Sequence, residues 1–592
     1  MIDIKDKADC CGCNACGDIC PKDAIIFKTD IEGIWYPNVN LDKCIDCHLC
    51  ERVCPIVNSC GLNCANFNDP KTWVLQNKSA KERFNSTSGS LYPEIARYFL
   101  THGGYVVGHI FNDDYTVRGY ISNKLEDLDV LRNSKYLQSD MRGIYKQVKK
   151  LLDEGNRVLF SGCPCQVAAF KTYLKTDYPN LLTVDFTCMG IDSPKAFRKY
   201  INSLESKYKS KVVYFKSKSK ETGWRDLTNK FIFANGKTYF GTCERDSNLI
   251  ATFLNILVRP SCYDCRFKGF PRIADITIGD FWRKQSKEFD DIDDDTGTSY
   301  YIANNKKGQS LFADIKDAFR YKNVNLELLF EGNPRMMTSL NPPAFNRDKF
   351  YQELETKDFS KLVEDYYYRV HPKRILKPFL KNSLKALKRV RLNPIAFLRF
   401  LYYNLFSSHV DANIANGDIL IPHNTTKLSL SKGSKIVVKG ICDFGKDSFI
   451  ELNGNAKLII DTINAKVGGM TFWVGNGGIL SVGYRTVIAN NVSILCSKKI
   501  DIGGFSYLSN NVSINDSNNN VVVSNDNASL SEPISIGEHC FFSENVVVKR
   551  GSHIGDEVVV EANSTIFGNI IPRVKIAGVP ASIIEKNIFW KK

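Results

Sequence analysis

Cys10-Cys11-Gly12-Cys13-Asn14-Ala15-Cys16-Gly17-Asp18-Ile19-Cys20-Pro21 and Cys44-Ile45-Asp46-Cys47-His48-Leu49-Cys50-Glu51-Arg52-Val53-Cys54-Pro55 are two copies of one pattern. Each reads C-x2-C-x2-C-x3-C-P, the spacing by which thiolates hold a pair of 4Fe-4S clusters. The first three cysteines of a run wrap one cubane; the fourth, turned away by its proline, reaches the cluster of the other run. One cluster is therefore assigned to Cys10, Cys13, Cys16 and Cys54, the other to Cys44, Cys47, Cys50 and Cys20. Zinc also takes paired C-x2-C motifs, but it has no use for the third cysteine or the Cys-Pro endings. Cys11 reads as a spare thiol, since a one-residue shift spoils all three spacings.

The chain has 592 residues and 20 cysteines, and its start, MIDIKDKADCC, lacks the apolar core of a signal peptide. Iron–sulfur spacing requires reduced thiols, so the expected compartment is the cytoplasm. The apolar run Ile395 to Phe406 is interrupted by Arg399 and is well short of the roughly 18 to 20 residues a spanning helix needs. The net charge of +15 is accompanied by no nucleic-acid-binding signature. Much of it sits where Lys373, Arg374, Lys377, Lys381, Lys385, Lys388, Arg389 and Arg391 alternate with Ile375, Leu376, Phe379, Leu380, Leu384 and Leu387. That spacing predicts a basic amphipathic helix, suited either to the inner face of an anionic membrane or to packing as a linker.

Four parts are expected: residues 1–68 as an α+β two-cluster ferredoxin-like domain, 69–345 as an α/β domain, 346–391 as a basic linker and 392–592 as a parallel β-helix. In the second, strand-like runs (Gly104 to Ile110, Arg157 to Ser161, Leu181 to Phe186) alternate with helical patterns such as Met141 to Glu154. It also carries Cys165, Cys188, Cys262 and Cys265 beside Pro and Gly turns, a candidate third 4Fe-4S site. Cys163 reads as an ordinary core thiol.

In the last part, apolar residues fall six apart at Ile536, Phe542, Val548, Ile554, Val560 and Ile566, each read as a corner of a triangular coil. With 43% apolar residues, six hits in one phase arise by chance at about 0.6%. Similar triplets at Val482, Ile488, Ile494 and at Ile502, Leu508, Ile514 extend the period.

The segments Ser86-Thr-Ser-Gly-Ser90, Ser134-Lys-Tyr-Leu-Gln-Ser-Asp140, Ser161-Gly-Cys-Pro-Cys-Gln166, Cys188-Met-Gly190, Gly223-Trp224, Arg259-Pro-Ser-Cys-Tyr-Asp-Cys265, Asp275-Ile-Thr-Ile-Gly-Asp-Phe-Trp282 and Gly297-Thr-Ser299 resemble, in order, the beta subunit of coenzyme F-420 hydrogenase/dehydrogenase. The resemblance implies a flavin, usually FAD, with electrons passing between clusters and flavin and on to an organic partner. The external donor or acceptor would be a ferredoxin, a reduced deazaflavin or a nicotinamide. Ser88, Gly89, Ser134, Gln138, Gly162, Gln166 and Ser299 are the expected flavin contacts, because small and hydroxyl residues let a backbone approach phosphate and ring edges. The chain departs from the family at Ser90, where a second glycine is usual, at Cys163, often threonine, and at Met189, often histidine.

The coil repeat, with the ending Ile576-Ala-Gly-Val-Pro-Ala581, resembles the left-handed β-helix hexapeptide-repeat acyltransferases, which O-acetylate sugars from acetyl-CoA and usually form trimers. Those enzymes carry a catalytic histidine on a projecting loop. Here the corresponding loop reads Ile514-Asn-Asp516-Ser-Asn518-Asn-Asn520, and an amide cannot take the proton. His539 and His553 read as structural. No catalytic residue is assigned. The favoured reading is an iron–sulfur flavoprotein acting on a sugar or nucleotide-sugar in surface-polysaccharide synthesis, its β-helix serving homotrimer formation or sugar recognition. A reductase that also acetylates, and an electron-transfer adaptor without a substrate, stay open beside it.

Overall fold

The computed structural model describes residues 1–592 apart from 59, 63–64, 283–286, 371–393, 413–417, 422, 424, 466–467, 518–530, 589 and 592. The basic stretch Lys373 to Arg391 and the run Asn518 to Asn520 lie outside the described residues. Two compact units are present: Met1–Lys207, Phe215–Lys230 and Gly241–Tyr367 form the first, and Tyr208–Tyr214, Phe231–Phe240 and Tyr368–Lys592 the second. Among the described residues no helix is long and apolar enough to cross a membrane.

The cysteine runs fold as near-duplicates. Each contains a single helical turn, Ala15–Asp18 or Leu49–Arg52, entered through a left-handed residue, Asn14 at φ 68° or His48 at φ 58°. An antiparallel pair, Ile25–Thr29 with Trp35–Val39, joins them. This segment does not stand apart as a separate body. Cys11, Cys13, Ala15 and Val53 share a core with Val107, Met141, Tyr145, Phe160 and Phe170. The Asp18 carboxylate accepts hydrogen bonds from the Gly143 and Tyr145 amides at 2.6 and 3.1 Å. It thereby caps the otherwise unsatisfied N-terminus of the helix Ile144–Asp153.

The rest of the first unit is built on a sheet of nine strands among the described residues. Its centre is parallel: Tyr105–Phe111 pairs with Val158–Ser161, Val158–Ser161 with Leu181–Phe186, and Leu181–Phe186 with Ile276–Asp280. These strands match the sequence expectation, and their near-continuous apolar runs suit a sheet covered on both faces. Antiparallel strands Ser299–Ala303, Lys71–Asn77 and Phe319–Asn323 close one side. The segment read as a linker begins as two packed helices, Arg347–Leu354 and Phe359–Val370, which bury Phe350, Tyr351, Leu354, Leu362 and Val363. Arg347 reaches back with a bidentate pair to Glu32 at 2.8 and 2.9 Å.

The second unit is a parallel β-helix of three sheets with eight, nine and seven strands among the described residues, the last strand of the nine pairing antiparallel. Ile436 stacks on Leu458, Leu458 on Leu480 and Leu480 on Ile500, all with 0% exposure. Coil length is not uniform. It is 22 residues between Ile436 and Leu458 but 18 between Ile536 and Ile554, so the six-residue period is clean only in the later coils. There the apolar repeat marks the inward-facing strand residues rather than the corners. The corners are the positive-φ residues His539, Asn545, Gly551, Glu557 and Asn563, themselves six apart. Asparagine tolerates that conformation, and the side-chain amides of Asn491, Asn511, Asn545 and Asn563 hydrogen-bond in a ladder at 3.3, 3.0 and 2.9 Å. The asparagine richness of this part is thus a feature of its turns.

Asp516, wholly buried, accepts from the amides of Ser497, Lys498 and Lys499 at 2.6, 2.8 and 2.8 Å. Asp516→Ala leaves three donors without a partner and should cost about 2–4 kcal/mol, read as a lowered denaturation midpoint of the β-helix transition. A midpoint within error of wild type would show that water replaces the carboxylate.

Candidate functional site

The two cysteine runs enclose two cavities. Cys20, Cys44, Cys47 and Cys50 line one. Cys10, Cys13, Cys16 and Cys54 line the other, with Cys11 at its wall. Each therefore takes three thiols from one run and the last from the other, the exchange the Cys-Pro endings imply. Among the described residues no group of three or more histidine, cysteine, aspartate or glutamate side chains converges on one ion position. The thiols stand around a space, as the ligands of a cubane do. Backbone amides point at the sulfurs: Ile2 N–H donates to Cys50 Sγ at 3.2 Å and Ala24 N–H to Cys20 Sγ at 3.3 Å. Burial pushes the Cys54 thiol up to about 11, a penalty that metal ligation would reverse.

A second thiol group forms at the carboxyl ends of the central parallel strands, where open α/β sheets place their ligand sites. Cys163 follows Val158–Ser161 and Cys188 follows Leu181–Phe186. The Cys163 thiol neighbours both Cys165 and Cys188, whose thiols act on it electrostatically. Cys188 lies close to Cys262, which in turn neighbours Cys265. Burial pushes the Cys262 thiol up to about 12. The four thiols read from the sequence are gathered, and two others join them. Cys163 sits among them, and Cys11 lies between Cys165 and Cys13, which lines the cavity of Cys10, Cys16 and Cys54. Neither role is legible in a local pattern, because Cys11 meets Cys165 from a distant part of the chain and Cys163 meets Cys188 from the end of the next strand.

The expected flavin contacts fall in separate places. Ser88, Gly89 and Ser299 are joined, Ser299 Oγ donating to Ser88 Oγ at 3.0 Å and Gly89 N–H to Ser299 Oγ at 2.9 Å. Gly162 and Gln166 form a second group, in which Gln166 takes the Cys163 amide and donates to Ser139 Oγ, both at 2.9 Å. Gln138 faces Trp35 and Arg259 instead. Ser134 precedes Lys135, whose ammonium donates to the carbonyls of Val130, Leu131 and Arg132 at 2.9, 3.0 and 2.7 Å. Ser90, where the family favours glycine, adopts φ 63°, a region glycine enters freely.

Buried polar atoms without a partner test whether this neighbourhood fits a flavin nucleotide. Arg132 Nε and NH1, Asn133 Oδ1 and His109 Nδ1 have none, although Arg132 NH2 pairs with Asp129 at 2.9 Å and Glu82 at 3.3 Å. His109 lies near Cys163 and Lys135, and burial holds its imidazole down to about 4. A neutral imidazole and spare guanidinium donors suit a ligand rich in acceptors, as phosphates and a flavin ring are. Arg132 and Asn133 immediately precede the Ser134 motif, and residue type alone does not mark them, since both are common on exposed turns.

Asp192, buried at 5% exposure, is pushed up to about 7 by burial. The folded chain therefore holds a proton that the unfolded chain, with an ordinary carboxyl near 3.9, has already released. The associated stability is complete below about pH 4 and is lost as the pH rises through about 7, at a slope of at most about 1.4 kcal/mol per unit. Asp192→Asn should flatten that part of the stability profile; an unchanged slope between pH 5 and 7 would assign it elsewhere.

Three family models match the chain. Residues 155–327 match the carboxyl-terminal part of the coenzyme F-420 hydrogenase/dehydrogenase beta subunit; residues 9–58 match the 4Fe-4S dicluster domain; residues 533–567 match the hexapeptide repeat of succinyl-transferase. The F subunit of the F(420)H(2) dehydrogenase of Methanosarcina mazei is 22% identical over 173 residues, 27% of this chain and 47% of that protein. A putative lipopolysaccharide biosynthesis O-acetyl transferase of Escherichia coli, WbbJ, is 48% identical over 56 residues, 10% of this chain and 29% of that protein. The chain thus spans less than half the length of these curated relatives. Among solved structures, a chain of the F-420-reducing NiFe hydrogenase complex from Methanosarcina barkeri aligns at TM-score 0.32 and 16% identity, covering 53% of this chain and 94% of that one. Taken by segment, the chain is similar at its start to the 4Fe-4S dicluster domain, in its middle to the carboxyl-terminal part of the coenzyme F-420 hydrogenase/dehydrogenase beta subunit and near its end to the hexapeptide repeat of succinyl-transferase.

Proposed function

We propose that this chain is an iron–sulfur flavoprotein oxidoreductase with three 4Fe-4S centres and FAD, acting on a sugar or nucleotide-sugar in surface-polysaccharide or glycoconjugate synthesis. The observation that carries the reading is the continuous line of thiols from Cys13 through Cys11, Cys165 and Cys163 to Cys188, which joins a ferredoxin-type cavity to the strand ends of the α/β sheet. When bound, the clusters carry single electrons and the flavin converts them to a pair.

The chain's own residues do the rest. The Cys-Pro endings exchange ligands between cavities, buried amides stabilise thiolate charge, and Arg132, Asn133 and His109 offer unsatisfied groups to the flavin. The seven flavin contacts named from the sequence belong to this proposal, as do the part boundaries at 68, 345 and 391, cytoplasmic location and a homotrimer of left-handed coils. The polysaccharide role rests on what the putative acetyltransferase relatives are named for.

The test is anaerobic reconstitution of the full chain, since residues 1–68 share a core with the sheet. About twelve irons per chain are expected, with Cys165→Ser and Cys188→Ser each losing about four. Flavin in the wild type, reoxidised on adding a nucleotide-sugar from a panel, supports the oxidoreductase. Flavin-free protein with full iron would leave an electron-transfer adaptor.

A further inference from the structure

We infer that Arg259 sets the electron ordering of the two ferredoxin-type centres: its guanidinium makes the centre of Cys10, Cys13, Cys16 and Cys54 easier to reduce than that of Cys20, Cys44, Cys47 and Cys50. This rests on the proposal that both cavities hold clusters.

Arg259 has 0% exposure. Its Nε donates to the Cys10 carbonyl at 2.5 Å, and its NH1 to the Trp35 carbonyl at 3.1 Å and the Gln138 amide oxygen at 2.9 Å. The guanidinium lies 4.2 Å from the centre of the Tyr36 ring. Gly12 leaves it room, for a Cβ there would stand 2.7 Å from Arg259 NH1 and 2.6 Å from the Gln138 amide. The group is locked in place, yet among the described residues no carboxylate pairs with it, and NH2 has no hydrogen-bond partner.

A buried charge without a counter-charge is costly. The thiols of Cys10, Cys11 and Cys262 are close enough to act on it electrostatically, and a centre ligated by four thiolates is anionic. Adding an electron makes such a centre more negative, so a fixed cation beside it favours the reduced form. Among the described residues the other cavity has no buried cation at its wall: Lys22 is exposed, and the Met1 ammonium meets Glu51 at 2.9 Å and Asp46 at 3.2 Å, where solvent and salt screen these charges. The exposure of Cys47 acts in the opposite sense, because water also stabilises added charge. A full cation in a place without water is screened less than a wetted edge, and it prevails.

The test is a mediated redox titration of the full reconstituted chain followed by EPR, with signals assigned through Cys20→Ala. In the wild type the Cys10 centre should reduce first. In Arg259→Gln its ratio of reduced to oxidised form at a fixed potential should fall about tenfold, equivalent to about 59 mV for one electron, while the Cys44 centre stays put. Arg259→Lys keeps the charge and should keep the order. A wild type whose Cys44 centre reduces first, or Arg259→Gln with both centres at wild-type potentials, overturns the inference. If Arg259→Gln loses iron, Arg259→Lys decides, and a reversed order there also overturns it. A wild type with no cluster signal at all overturns instead the reading on which the inference rests.

Discussion

Replacing Cys20 with alanine removes the centre built on Cys44, Cys47 and Cys50 and spares the one built on Cys10, although Cys20 belongs to the first run. Cys54→Ala has the converse effect. The expectation follows from the cavities, whose walls pair Cys20 with the second run and Cys54 with the first. A cubane that loses one of four thiolates loses much of its binding free energy. Each variant should therefore lack about four irons and one of two EPR signals while the other keeps wild-type shape. The outcome that sinks the assignment is each substitution erasing the signal of its own run.

Acetyl-CoA turnover with a panel of sugar acceptors should stay at the blank rate, since loss of a general base costs about 100- to 10,000-fold. Asparagines Asn518 to Asn520 stand where a histidine is expected. The structure narrows what could replace it. His539 is buried at a coil corner, stacked on Trp590 with ring centres 4.0 Å apart, and its carbonyl accepts from the Trp590 indole at 2.9 Å. Both are packing contacts. His553 differs: it is exposed, with Nδ1 2.8 Å from Ser535 Oγ on the preceding coil. Wild type, Asn518→His, Asn519→His and His553→Ala should be compared. Activity appearing only in a histidine variant would mark a lost site on a retained scaffold. Strong wild-type turnover abolished by His553→Ala would move the base to that residue.

What was legible in the chain was what repeats locally. The cysteine spacing, the strand runs Arg157 to Ser161 and Leu181 to Phe186, and the six-residue period after Ile536 each lie within a few dozen residues. Their physics is set by near neighbours. Arg259, Asp18 and Cys11 were unreadable for the opposite reason. The first supports Cys10, the second caps a helix beginning at Ile144, and the third touches Cys165. Nothing in a local pattern distinguishes a buried bridging group from a surface one. The flavin contacts rest on residue type, by which a structural serine network such as Ser88 with Ser299 looks the same as a ligand site. Coil length misled similarly, since the 22-residue coils carry no clean period.

The sheet of the first unit also has a temporal consequence. Lys71–Asn77 finds its neighbours only in Ser299–Ala303 and Phe319–Asn323, so it cannot be completed until the ribosome has moved far downstream. At roughly 5–20 residues per second, that leaves a delay on the order of ten seconds to a minute. The walls of both cysteine cavities, by contrast, come entirely from residues 1–56. The residues that wall both cavities therefore leave the ribosome well before the domain that covers Cys11 and Cys13 can close.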